Sequence, residues 1–377
     1  MKLIIVVFIA FFLAFTPLSV LAVENPLDKP NNKIGIHILF PSELEDASKL
    51  VNSSGGSWGY VTIPIQSGDK DLEKWQIFMD DARRLRLIPI IRLSTEGNYF
   101  NTSVWRKPEP SDVVDFANFL NSLDWPIKNR YIVVFNEVNR GDEWGGSPDP
   151  ADYANLLNLA VSVFKSRNSD FFIISGGLDN ASADIPGQSI NSLNFLSLMN
   201  DAVPGIFNQV DGLSSHAYPN PGFSQPPDVV SSSSIVSYRF EKETISNFSN
   251  KNHPIFITEA GWPTTSVLEE KASEYLKKAL DEIWTDGEIV AITPFLLKAG
   301  SGPFEGFSFI KNDGTNGKYY QAIENFKKIS GKPTINKKSV LGKKEKKDLP
   351  IIDFRSEEDR KIKIKTAEIL FRFLIRF

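Results

Sequence analysis

The sequence predicts an α/β chain folded as a (β/α)8 TIM barrel. Three observations predict it. From about Lys33 onward, short apolar runs alternate with longer, mixed, helix-like stretches. There are eight such runs. Most are near-continuous apolar segments, as expected of parallel strands covered on both faces rather than one. Eight strands, each followed by a crossover, is the pattern of a closed α/β barrel. A doubly wound open sheet would show a Gly-rich first turn and fewer strands, and no such turn follows the first run.

In chain order the predicted strands are IGIHI (34–38), WGYVTIPI (58–65), LIPIIRL (87–93), YIVVF (131–135), FFIIS (171–175), VDGLSSH (210–216), PIFIT (254–258) and AITPFLL (291–297). Between them lie three clear helical signals. Residues 73–87 place apolar side chains at helical spacing and end in basic residues. Residues 149–167 open on Asp149 as N-cap with Pro150 at the first helical position. Residues 268–284 are amphipathic with Glu–Lys pairs along one face. The barrel is expected to span 33–328.

Both flanks change character. Residues 1–22 have one Lys, an apolar run and the small-residue ending Val20-Leu21-Ala22, and read as a secretory signal peptide, with an uncleaved membrane anchor as the alternative. Residues 329–350 are rich in Lys with Gly and Pro and read as a linker. The tail, 351–377, mixes Arg with apolar and aromatic residues. It reads as a basic amphipathic helix on a membrane, as a strand-forming fragment, or as a segment packed on the barrel. The expected location is therefore secreted or cell-surface, with membrane attachment through the tail or the N-terminal segment as an open alternative.

The formal net charge is -4, which gives no basic surface for nucleic acid. The chain has 0 Cys, so it must be held together by core burial, and neither a cysteine nucleophile nor a thiolate metal site is available. Its three histidines, His37, His216 and His253, sit on separate elements without a helical His-x-x-x-His spacing, so no metal site is expected. His253, next to Pro254, reads as a surface loop residue.

In such a barrel, residues at the C-terminal ends of the strands face the functional end. The fourth strand runs YIVVF straight into Asn136-Glu137. The seventh reaches Glu259. The sixth ends in Ser215-His216-Ala217-Tyr218, and the third carries Arg92. Two carboxylates, an amide, an imidazole, a phenol and a guanidinium thus converge on one face. Two carboxylates across a cleft suit glycoside hydrolysis: one protonates the leaving oxygen, and the other acts as nucleophile or as base towards water. Arg92 fits either an ion pair in the site or a salt bridge in a barrel layer. His37 fits the mouth or the core. Trp58 and Trp144 are candidate sugar platforms, Trp144 because it lies in the Gly-rich loop GDEWGGSPDP. Trp75, Trp125 and Trp284 fit packing positions.

FNEVN at the end of strand four, SSHAYP at strand six and ITEAGWP at strand seven resemble the clan A glycoside hydrolases, which are retaining (β/α)8 enzymes with catalytic glutamates after strands four and seven. The resemblance spans roughly residues 33–328 and is carried by these three short motifs in order. It implies Glu137 as general acid/base and Glu259 as nucleophile. It further implies Asn136 on the sugar 2-hydroxyl, Tyr218 against the nucleophile, His216 lining the site near the acid/base or the sugar, and Trp262 stacked on a sugar ring. Two departures stand out. The arginine that many members carry near the end of strand two is replaced by Ile65-Gln66, leaving Arg92 on strand three as the candidate. The tryptophan after strand eight is replaced by Phe295.

The resulting expectation is a retaining β-glycoside hydrolase acting on a poly- or oligosaccharide, without a cofactor. The alternatives are a transglycosylase and a non-catalytic carbohydrate-binding surface protein on a degenerate barrel.

Overall fold

The structure is a computed structural model, and it describes residues 23–336 apart from Phe100 and Ser301. The expected signal peptide, most of the Lys-rich linker and the whole tail lie outside the described residues.

The eight expected strands are all present: β1 Gly35–His37, β2 Gly59–Gln66, β3 Leu87–Ser94, β4 Arg130–Asn136, β5 Phe171–Gly177, β6 Leu213–His216, β7 Ile255–Glu259 and β8 Ile289–Ile292. Every pairing is parallel, in the order β1 to β5 and β6 to β8. Two parallel bridges, Ile174 with Gly212 and Ile34 with Ile292, join β5 to β6 and β8 to β1, so the sheet closes on itself. The helices are α1 Leu44–Val51, α2 Leu72–Leu85, α3 Pro110–Ser122, α4 Pro150–Arg167, α5 Ser192–Ala202, α6 Ile206–Gln209, α7 Ser237–Ser246, α8 Glu269–Lys278 and α9 Lys318–Glu324. None of the described helices is long and apolar enough to cross a membrane.

Local chemistry explains the boundaries. The Asp149 carboxylate accepts from the amides of Ala151 and Asp152, and Pro150 opens α4. Arg86 takes a left-handed conformation that ends α2 one residue before β3. The third expected helix is shorter than its amphipathic pattern, because α8 gives way to a π-helical turn at Ala279–Ile283. The last expected strand is displaced. β8 stops at Ile292, and the apolar run beyond it forms a buried loop instead.

Two apolar layers hold the barrel. Tyr60, Ile88, Ile90, Tyr131, Val133, Phe172, Ile174 and Phe256 fill its interior. A larger cluster, including Trp75, Trp125 and Trp284, lies between strands and helices. These three indoles are fully buried, as their spacing predicts. Truncating a buried aromatic of this size costs about 3–5 kcal/mol, which is how a chain without disulfides is stabilised.

The domain extends beyond 33–328 at both ends. Val23 and Leu27 pack against the interior cluster, Ile335 bridges to Ile127, and Ser330 to Ser57. The described part of the expected linker therefore belongs to the barrel floor. The expectation of an exposed His253 is also corrected: it is 2% exposed, and its Nε2 lies 2.6 Å from the Phe207 carbonyl. Trp58 sits just before β2 and packs in the interior cluster at the N-terminal end, so it offers no platform at the mouth.

Candidate active site

A cavity of about 420 Å³ opens at the C-terminal end of the barrel. Glu137, Glu259, Asn136, Arg92 and Tyr218 all line it. The opposite end holds a cleft of only about 30 Å³, which is near the size of a single water.

Strand alternation alone would not send both Asn136 and Glu137 into this cavity, since neighbours on a strand face opposite ways. The backbone breaks the alternation. Val133 faces the interior, but Val134 and Phe135 both join the outer cluster. Phe135 has φ +66° and Glu137 φ +37°, left-handed values that L side chains adopt only under constraint. These two residues turn the end of β4 so that the amide and the carboxylate share the mouth. A similar device sits on β7. Its pairing with β6 slips by one residue between Ser215 and His216, which sets Glu259 opposite His216.

Glu259 is held on every side. Its Oε1 accepts from Arg92 Nη1 at 2.7 Å, and its Oε2 accepts from the Tyr218 hydroxyl at 2.9 Å. The same Arg92 nitrogen donates to Asn136 Oδ1, tying amide and carboxylate into one network. Arg92, on the third strand, thus places a cation on Glu259 at the mouth, where the end of strand two offers none. Tyr218 stays protonated, because burial and then the charges of Glu259 and Glu137 push its phenol well above its ordinary range.

Glu137 has its own partners. His216 Nδ1 lies 2.9 Å from Oε1, and Arg140 Nη1 donates to Oε2 at 3.0 Å. Burial opposes charge on His216, but Glu259 and Glu137 outweigh it and raise its pKa above the usual histidine value. Glycine at 177 is required by this ring, since a methyl group there would collide with His216. His37 joins the site floor, with Nε2 3.7 Å from Glu259 and its ring 5.1 Å from that of Phe295. Burial, with Arg92 and His216 nearby, holds it well below the normal histidine pKa, so it is neutral at pH 7.

One oxygen of Glu137, one of Glu259 and a ring nitrogen of His216 all lie within 4.8 Å of one another. That spacing would also serve a metal, but Arg92 already places a positive charge directly on Glu259. The two carboxylates thus approach each other closely across the mouth.

Four expected site residues do not line the cavity: His37 and His216 are buried behind it, against Glu259 and Glu137, and two tryptophans lie away from it. Trp144 is 1% exposed, and packs edge-on against Phe135 and Tyr153. Trp262 is 0% exposed, with Nε1 donating to the Gln225 carbonyl and its rings near Tyr275 and Trp284. Neither indole has a free face for a sugar. Other side chains line the cavity instead. Glu143 lines the cavity beside Trp144, and Phe295 stands with Phe307 and Phe223 on the wall by Tyr218. Arg140, Asp142, Glu143 and Asp179 escaped the sequence reading, as did the Tyr99–Trp105 aromatic pair. The only signal for the first three was their place in the loop that follows Glu137.

No protein-family profile matches the sequence, and no curated protein sequence matches it. Solved structures do match. A family 39 glycoside hydrolase from the gut symbiont Bacteroides cellulosilyticus WH2 is 17% identical, with a TM-score of 0.54 over 80% of this chain and 64% of that one. A GH39 β-xylosidase from Caulobacter crescentus is 15% identical, with a TM-score of 0.55 over 81% of this chain and 72% of that one. A GH128 endo-β-1,3-glucanase from Sorangium cellulosum is 16% identical, with a TM-score of 0.50 over 78% of this chain and 97% of that one. The chain therefore has the (β/α)8 fold of clan A glycoside hydrolases. It spans less than two thirds of the first of these relatives, and at such identities the match is one of fold.

Proposed function

We propose that this chain is a retaining β-glycoside hydrolase acting on a poly- or oligosaccharide. The observation that carries the reading is the approach of Glu137 and Glu259, with oxygens within 4.8 Å across the mouth. Retaining enzymes keep their carboxyl groups about 5–5.5 Å apart, and inverting ones about 6.5–9.5 Å.

In the proposed reaction, Glu259 Oε2 or Oε1 attacks the anomeric carbon while Glu137 gives its proton to the leaving oxygen. The glycosidic bond breaks and a glycosyl ester forms on Glu259. Glu137, now a carboxylate, takes a proton from water, whose oxygen attacks the same carbon and releases the sugar and Glu259. Arg92 and Tyr218 keep Glu259 ionised and aimed, His216 orients Glu137, and Asn136 reaches the sugar 2-hydroxyl. The carboxylates supply acid, base and nucleophile, so the proposed chemistry draws on no cofactor.

Replacing water by a sugar hydroxyl would make the same site a transglycosylase. The bond from Arg92 to Glu259 supports the hydrolase over the carbohydrate-binding alternative. We place the enzyme outside the cell or on its surface on the strength of the N-terminal segment alone.

The test is hydrolysis of β-glucans, mannans, xylans, galactans and aryl β-glycosides by the wild type, Glu137→Ala and Glu259→Ala. Turnover that both substitutions remove supports the reading. Polysaccharide binding that survives both, with no turnover by the wild type, would favour the binding protein.

A further inference from the structure

The charge of the cavity bears on which glycan it accepts, an inference that rests on the hydrolase reading above. Five carboxylates line it: Glu137, Asp142, Glu143, Asp179 and Glu259. They face two guanidiniums, Arg92 and Arg140, and no lysine lines the cavity among the described residues. Formally, three negative charges are in excess. The two undescribed internal residues, Phe100 and Ser301, are uncharged.

Both guanidiniums are already committed. Arg92 is engaged by Glu259 at 2.7 Å and by Asn136. Arg140 is shared among Glu137 at 3.0 Å, Asp142 through two nitrogens, and Asp179 at 3.9 Å. An acidic sugar entering the cavity would find no free cation to receive its carboxylate or sulfate. Phe223, Phe295, Phe304 and Phe307 give the wall an apolar stretch that suits the C–H faces of a sugar ring, and Ser94, Thr102, Ser103 and Asn220 add uncharged polar groups.

We infer that the cavity selects glycans by charge, accepting neutral and amino sugars and excluding uronic-acid and sulfated ones, with Asp142, Glu143 and Asp179 as the wall that enforces it. The protonation behaviour of this wall agrees. Burial and then the charge of Glu137 push Glu143 up to about 7 and raise Asp179. A site that holds its own negative charges with difficulty resists one more, whereas an ammonium group would relieve it.

The test uses the Glu137→Gln protein on a glycan array holding neutral, amino, uronic and sulfated β-glycans. This variant slows turnover yet leaves Arg92 on Glu259, and Arg140 on Asp142 and Asp179, so no cation is freed. The expected result is binding confined to neutral and amino-sugar glycans. Adding Glu143→Gln and Asp179→Asn should raise the ratio of acidic to neutral binding on the order of tenfold, since removing like charges from the wall lowers the repulsion of an incoming anion. Strong binding of a uronic or sulfated glycan, or a ratio that does not rise, overturns charge selection and leaves the hydrolase reading standing. A wild type that binds neutral glycans yet cleaves none overturns the hydrolase reading and upholds the selection. An array with nothing bound overturns both.

Discussion

At the scale of single residues, Arg92 ties the two halves of the mouth together. Its guanidinium donates to both Glu259 and Asn136. Lysine carries its charge on a compact ammonium at the end of a differently shaped stem, and does not set a donor where Nη1 stands between Glu259 and Asn136. Arg92→Lys should therefore lower kcat by roughly tenfold or more, with little change in KM, in steady-state kinetics on the best panel substrate. Equal loss from KM alone would show that Arg92 serves binding rather than the reacting carboxylate. Glu137→Ala should cost about 10²–10⁴-fold on substrates with poor leaving groups, and far less on aryl glycosides that need no proton. Comparing the two substrate types checks it. Glu137, Glu259, Asn136, His216 and Tyr218 were all legible from the sequence, because strand ends in a barrel point one way and the motifs fall on those ends. Trp144 and Trp262 were misread for a common reason. A tryptophan near a site motif looks like a platform, but an indole buries more apolar area than any other side chain, and both rings found core positions beside the cavity.

Elements explain why so few contacts define the mouth. The loop after β4 carries Arg140, Asp142 and Glu143, and Trp144 pins it down between Phe135 and Tyr153. Trp144→Ala should cost about 3–5 kcal/mol in chemical denaturation and lower activity, by releasing this loop. A variant with unchanged stability would contradict that anchoring role. Gly177, at the end of β5, leaves room for the His216 ring. Gly177→Ala should displace His216 from Glu137, reducing kcat while melting stays cooperative, as circular dichroism and kinetics would record together. Strand order and pairing were legible from the apolar runs. The end of β8 was not, because the apolar residues beyond Ile292 serve the wall of a cavity rather than a strand, and burial alone does not separate the two. The left-handed turns at Phe135 and Glu137 gave no sequence signal, since neither residue is glycine.

The whole molecule carries a pH dependence of its own. Burial pushes Glu43, beside α1, and Glu241, on α7, up to about 7 from the ordinary 4.5. The folded chain therefore holds protons that the unfolded chain releases between pH 4.5 and 7. Stability from these groups is fully present below about pH 4.5 and is lost as pH rises through 7. Urea denaturation at pH 5 and pH 8 should show the lower stability at pH 8, and Glu241→Gln should narrow the gap. A gap that the substitution leaves unchanged would show that Glu241 is not a source of it. The closed barrel and its apolar core were readable from the eight runs. The sealing of its floor by residues 23–32 and 329–336 was not, because those segments are polar and make their contacts through bridges and single side chains.

The central claim is a double displacement across Glu137 and Glu259, and the anomer released first tests it most directly. Proton NMR of the first turnovers on a β-glycoside, read before mutarotation, should show the β-anomer as the initial product. The α-anomer appearing first would mean a single inversion, and would contradict the assignment of Glu259 as the nucleophile.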